Sequence, residues 1–215
     1  MTLSELETAA REQYNAVGDT NWSSSEIRTL VYGACLDMAR KALVIEDVFS
    51  SSTVASQQEY SYPTNVISIK RVTYAGAKLE KISFREDDYL TGQNQATTST
   101  GTPTHYAEFN NTIYLRPTPS AVGTLKVFAY VEPQALTSAS TLEIPTLFHM
   151  DLVDYVIGRM YAKDKDFNSA QYFQGLWDKH LLEAKKYVRT RYKGDAFAAV
   201  QDEEQLGQVG VGYIR

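Results

Sequence analysis

The sequence predicts an α+β fold: a helical bundle built from both ends of the chain, an antiparallel β-lobe inserted between its second and third helices, and an extended C-terminal tail. Three observations carry this reading. Apolar residues recur at helical spacing through the first fifty positions and again from about residue 146 to 192. Between 58 and 132 the period falls to two, and Val, Ile, Tyr, Phe and Thr dominate. Beyond Lys193 no period is sustained, and three glycines fall in the last nine positions. The expected units are residues 1–56, 57–133, 134–192 and 193–215.

Leu3, Leu6, Ala9, Ala10, Gln13 and Val17 mark a first amphipathic helix over 2–16, broken by Gly18-Asp19. Ser23 followed by Glu26 is a capping box, and it opens a second helix whose stripe runs through Ile27, Leu30, Val31, Ala34, Cys35, Met38, Ala42, Ile45 and Phe49. Ser50-Ser51-Ser52-Thr53 is expected to end it. Cys35 lies on that stripe with no second cysteine in the chain, so a buried apolar role outweighs a reactive thiol.

Six short strands are expected next, as a meander, at 58–62, 66–74, 78–84, 104–109, 112–116 and 124–132. The polar run at 92–101, GQNQATTSTG, has nothing large to bury and reads as a loop. Asn110-Asn111 suits a type I′ turn, which pairs Phe109 with Thr112, Ala107 with Tyr114, and Tyr106 with Leu115. The same register sets Glu108 opposite Ile113, its one weak pair. Pro117 and Pro119 lack the N–H a ladder needs and are expected to stop the second strand and to keep its end from recruiting another edge.

Ile144-Pro145 then opens a third helix at about residue 146, with Phe148, Leu152, Tyr155, Val156, Arg159 and Met160 on one face and Met150, Val153 and Ile157 on another. The short turn Lys163–Asp166 leads into a last helix over 167–192, with a stripe of Ala170, Phe173, Trp177, Leu181, Ala184 and Val188. Helices joined so tightly pack antiparallel.

Composition is that of an ordinary globular protein, 43% hydrophobic and 22% charged, and no stretch approaches the ~18 consecutive apolar residues of a membrane span. The acidic, amphipathic N-terminus does not read as a secretion signal, so synthesis in a reducing cytoplasm is expected. A net charge of −5 argues against a protein whose task is to grip phosphate backbones. One segment, 159–193, is basic, with nine cations against four carboxylates. Its run Lys185, Lys186, Arg189, Arg191 and Lys193 is either a solvated helix end suited to the helix dipole or an electrostatic dock for an acidic partner.

Catalytic chemistry finds no footing in the sequence. Nucleophilic catalysis needs a nucleophile, a base and a group that orients the base, but His105, His149 and His180 stand apart, each in an expected structural or surface role. No CxxC, HxxxH or HxxE spacing suggests a metal, and Asp151 with Asp154 reads as a solvated first helical turn. Gly207, Gly210 and Gly212 lack the following helix that a phosphate cradle requires. No catalytic residue, cofactor or metal is therefore expected.

The layout as a whole resembles the head-to-tail adaptor proteins of tailed bacteriophages, the family that includes the tail tubular protein A of short-tailed phages. The residues carrying the resemblance are GTPTHYAEFNNTIYLRPTP at 101–119, VFAYVEPQALTSASTLEIPTLFHMDLVDYVIGRMYA at 127–162 and RYKGDAF at 191–197. The β-lobe order and the 92–101 loop depart from the short-tailed version, which leaves the tail type open. The resemblance implies a virion structural protein of the neck, a dodecameric ring between the portal protein and a tail or nozzle component. DNA would pass through its channel at genome ejection without sequence-specific binding, and no membrane would be involved. The C-terminal tail would reach into the portal, making Arg189, Arg191, Lys193, Tyr213, Ile214 and Arg215 the expected contacts with the portal or a neighbouring subunit. The reading from another class is a carbohydrate- or peptide-binding module that uses the 15 tyrosines as a recognition face. A small hydrolase is the third, disfavoured for want of a nucleophile and base.

Overall fold

Two capping boxes set the first helices. The computed structural model describes residues 1–16, 18, 21–86, 99–137 and 140–191. In it α1 (Leu3–Gln13) starts where the Thr2 hydroxyl accepts from the Glu5 amide while the Glu5 carboxylate accepts from the Thr2 amide. Ser23 and Glu26 do the same for α2 (Ser24–Ala42). Their apolar stripes, Leu3, Leu6 and Ala10 on one and Ile27, Val31, Ala34, Cys35, Met38 and Ala42 on the other, are buried.

The second helix is shorter than its sequence stripe suggests. It ends at Ala42, because Leu43 takes a left-handed conformation, φ 55°. Residues Glu46–Ser52 then form strand β1, paired antiparallel with β10 (Thr124–Val131) from Glu46↔Tyr130 to Ser52↔Thr124. Ile45 and Phe49 belong to this departure from the helix and not to its stripe. The hydrophobic period across the junction misleads because Val44 and Ile45 remain buried after the backbone has changed direction.

The expected meander is replaced by two four-stranded sheets. One has the order β1-β10-β3-β4, where β3 is Val66–Tyr74 and β4 Ala77–Lys78. The other has the order β2-β8-β7-β5, from Glu59–Ser61, Thr112–Arg116, His105–Phe109 and Glu80–Lys81. Strand β10 returns across the sequence to lie between β1 and β3. Thr53 locks that return: its hydroxyl accepts from the Gly123 amide at 2.9 Å. A Cβ on Gly123 would stand 2.6 Å from the Tyr74 ring, so any side chain there would have to displace that ring.

The hairpin β7–β8 has the predicted register, with Asn110 and Asn111 at φ 46° and 56°. Glu108 does face Ile113. The carboxylate is answered by the Tyr62 hydroxyl and Lys81 Nζ, each donating to it at 2.7 Å. Strand β8 ends at Arg116, just before Pro117, as expected, but the segment beyond it does recruit another edge. After a cis Arg116-Pro117 bond, β9 (Thr118–Pro119) pairs in parallel with β6 (Thr100–Gly101), since the amides of Thr118 and Ser120 donate to the Ser99 and Gly101 carbonyls and Pro119 owes that pairing no N–H, its own carbonyl accepting from the Ser56 amide. Residues 92–98 of the expected loop lie outside the described residues.

A 3-10 turn, Thr146–Phe148, leads into α3 (His149–Lys163), and α4 (Phe167–Arg191) follows. The two helices pack closely along each other, and both also contact α2, while α1 packs on α2 and α3. Gly158 makes the α3–α4 crossing close, since a Cβ there would lie 3.0 Å from that of Phe173. Met150 departs from expectation: it is 47% exposed, and His149 takes the buried place next to it. One apolar cluster runs from these helices through Val44, Ile45 and Ile144 into the strands, with Val72, Tyr106, Ile113, Leu115, Leu125 and Val127.

Candidate interaction surfaces

Polar groups at the helix junctions are engaged in holding elements together. At one end of the α3–α4 hairpin, Lys163 lies 4.2 Å from the centre of the Trp22 ring and donates to Glu26. That bond, with those from Ser23, holds the Glu26 carboxyl down at about 2. The Tyr14 hydroxyl donates to Asp164, and burial, together with that carboxylate, pushes its pKa up. Tyr14, Tyr161 and Phe173 continue as an aromatic stack, with centroids 4.7 and 5.7 Å apart. Farther along, Trp177 Nε1 donates to Asp37 at 2.8 Å and so ties α4 to α2. Burial pushes the Cys35 thiol of α2 up to about 12, which removes it from thiolate chemistry.

The histidines occupy three separate settings. His105 starts β7, 2.8 Å from the Thr104 hydroxyl. His149 is buried: its Nε2 lies 2.8 Å from the Ile144 carbonyl, which makes Nε2 the protonated nitrogen and leaves Nδ1 to accept from the Met1 ammonium at 3.0 Å. Burial first, then that ammonium, lowers its pKa. His180 of α4 stands between two carboxylates of α3, with Nε2 2.9 Å from Asp154 and Nδ1 3.5 Å from Asp151. Asp151 and Asp154 are therefore a helix-to-helix clip and not a solvated turn. Desolvation raises the Asp151 pKa, and Glu183 and Asp154 add to the rise while His180 opposes it. The sequence could not join these groups, because the pairing depends on the antiparallel register of two helices.

A groove of about 470 Å³ lies where residues 78–81 diverge from β3, lined by Lys70, Arg71, Lys78, Glu80, Lys81 and Tyr106 among others. Its charges are engaged with neighbours: Lys70 with Glu46, Lys81 with Glu108, and Arg71 over the Phe128 ring at 4.1 Å. Among the described residues no group of three or more metal-ligating side chains is found, and no helix is long and apolar enough to cross a membrane. Of the strand tyrosines, Tyr60, Tyr74 and Tyr106 are buried.

What the surface offers is of another kind. Large apolar side chains stand exposed on the helical hairpin: Phe167 and Tyr172 near its turn, Leu147 and Met150 near the start of α3, and Leu182 on α4. Sequence reasoning passed over Phe167, Tyr172 and Leu182; their signal was that they fall off the Ala170–Phe173–Trp177 stripe on a helix otherwise polar there. Arg189 and Arg191 are exposed in the last turn of α4, with Lys185 and Lys186 exposed one turn earlier. Lys193, Tyr213, Ile214 and Arg215 lie outside the described residues.

Comparison with known proteins bears on how such surfaces are used. A family model described as SU10 adaptor protein matches residues 1–200, and so spans the helices and the strands alike. No curated protein matches the chain.

Proposed function

The chain belongs to the SU10 adaptor protein family, and from that premise we propose that it is a head-to-tail adaptor of a phage virion, a non-enzymatic structural protein of the neck. The observation that carries this reading is the extent of the match, 1–200, which takes in every described element. In this reading the helices and the strands are working units. The helical bundle surrounds a DNA channel, and the strands form a lobe turned toward the next tail or nozzle component. Copies close into a ring, a dodecamer, beneath the portal. Assembly takes place in the host cytoplasm, and DNA passes through the ring at ejection.

Physical support comes from where the polar and apolar groups sit. The polar side chains at helix junctions are spent on internal ties, such as His180 with Asp151 and Asp154. Phe167, Tyr172 and Leu147, by contrast, present exposed apolar area. An acidic chain, −5 overall, suits a conduit that DNA must traverse without sticking. The portal or a neighbouring subunit would be engaged by Arg189, Arg191, Lys193 and the terminal Tyr213, Ile214 and Arg215.

Electron microscopy and native mass spectrometry of the purified chain, alone and with its portal, test the proposal. Rings, or a ring-shaped layer on the portal, are expected. Monomers that ignore the portal under all conditions would end it.

A further inference from the structure

We propose that β1 is a self-pairing edge: two copies of the free chain join their β1 strands antiparallel about Phe49 and so run their β1-β10-β3-β4 sheets into one. The inference goes beyond the adaptor reading and does not depend on it. Among the described residues four strands end the two larger sheets, and three of them are too short to offer a template: β2 has three residues, β4 and β5 two each. Strand β1 has seven, all exposed or half-buried, and holds an unbroken register with β10. Native edges are usually blunted by lysine, proline, a bulge or brevity, and EDVFSSS has none of these.

Which backbone groups are open follows from the ladder. The Val131 amide donates to the Ile45 carbonyl at 3.1 Å and the Thr53 amide to the Gly123 carbonyl at 2.8 Å, so the odd-numbered residues between them exchange hydrogen bonds with β10. Glu46, Val48, Ser50 and Ser52 therefore turn their N–H and C=O groups outward, where among the described residues no strand pairs with them. The cover there is local: the Asp47 carboxylate accepts from the Val48 amide at 2.7 Å. A pairing strand would take over that amide and free the carboxylate.

The side chains identify the pairing strand. Glu46 and Asp47 stand at one end of β1 and Ser50, Ser51 and Ser52 at the other, with Val48 and Phe49 between. Laid antiparallel over its full length against a copy of itself, the strand sets Glu46 opposite Ser52, Asp47 opposite Ser51 and Val48 opposite Ser50, with Phe49 on the two-fold axis. Carboxylates then face hydroxyl donors, and the outward residues of the two copies meet as hydrogen-bonded pairs. A register centred on Asp47 would set that carboxylate against its own equivalent, and a parallel pairing in register would set acid beside acid. Val48, 48% exposed, gains its equivalent as a diagonal neighbour on the same face. The pattern is complementary to itself, which is what a two-fold contact demands. Such a contact closes on itself and is not a head-to-tail contact of a ring, so it belongs to the chain before it joins the portal.

Sedimentation velocity of the full chain and disulfide trapping test the proposal. The wild type should show a concentration-dependent equilibrium between monomer and dimer. Ser50→Pro should weaken it about tenfold with circular dichroism unchanged, because proline there removes an outward amide and leaves the β10 ladder intact. Facing residues outside the hydrogen-bonded pairs stand about 4.5 Å apart at Cα, close enough for a disulfide to trap them. Under mild oxidation Phe49→Cys should link to itself, and Asp47→Cys should link to Ser51→Cys in a mixture, though neither links to itself alone. Cys35 is buried, which leaves the wild type as the unlinked control. An equilibrium unmoved by Ser50→Pro, or Asp47→Cys linking to itself as fast as to Ser51→Cys, overturns the proposal. A wild type that stays monomeric at every concentration, with no linked species from the mixture, also overturns it; if that monomer still attaches to the portal, the adaptor reading stands. Ser50→Pro should keep portal attachment. Its loss with unchanged circular dichroism would reassign the edge to a contact of the assembled ring and overturn the two-fold pairing.

Discussion

At the scale of single residues, the clearest consequence follows from His149. The ring is buried with Nε2 on the Ile144 carbonyl, and its pKa is held below the ordinary 6.5. As pH falls through 6.5 the unfolded chain takes up a proton that the folded chain refuses, so the unfolded state binds more protons and stability must fall with pH. The stabilisation is complete above 6.5 and is lost below it, by up to about 1.4 kcal/mol per pH unit while the difference in binding is one proton. Urea unfolding between pH 7 and 5 should show this slope in the wild type and a shallower one in His149→Gln, which keeps a donor for Ile144 but does not titrate. Equal slopes would remove His149 from the pH response. Cys35 was legible as a core residue because its place on the helical stripe is a local property. The role of His149 was not, since its neighbours include Met1 from the far end of the chain. The clip of His180 with Asp151 and Asp154 was hidden for the same reason.

Among elements, the β7–β8 hairpin shows what short-range sequence can specify. Two asparagines tolerate positive φ, and the alternation on either side selects the register down to the Glu108↔Ile113 pair. The energetics of that turn can be tested directly. Asn111→Gly should leave stability unchanged or raise it slightly, because glycine meets no steric cost at φ 56°. Asn111→Val should cost about 1–2 kcal/mol in urea unfolding, the usual penalty for a side chain in the left-handed region. If the two variants unfold alike, the turn is not held in this conformation. Helix α2 marks the opposite case. Its C-terminus depends on Leu43 adopting a conformation rare for leucine, and on β10 waiting to pair with Glu46–Ser52, a partner some eighty residues away. Hydrophobic period alone could not place that end. The prolines at 117 and 119 misled in a related way: the rule about ladder N–H groups holds, but a two-residue parallel pairing can be served by the neighbours' amides.

At the largest scale, the α+β class and the positions of α1 to α4, apart from the end of α2, were readable because each depends on a period sustained over several turns or strands. The sheet order was not, because β10 between β1 and β3 is a long-range choice made by tertiary packing. The same distinction between folding and assembly governs the last prediction. Among the described residues the apolar cluster is drawn from Leu3 to Val188. Removing residues 201–215 should leave the melting temperature within a degree or two, as expected for a polar, glycine-containing stretch with no sustained apolar period. It should nonetheless abolish attachment to the portal, since the deletion takes the terminal Tyr213-Ile214-Arg215. A shorter deletion of 213–215 should weaken portal attachment in the same way. A truncated chain that melts markedly lower would mean that the C-terminal segment is part of the fold, and attachment that survives the longer deletion would transfer the contact to the exposed hairpin residues Phe167 and Tyr172.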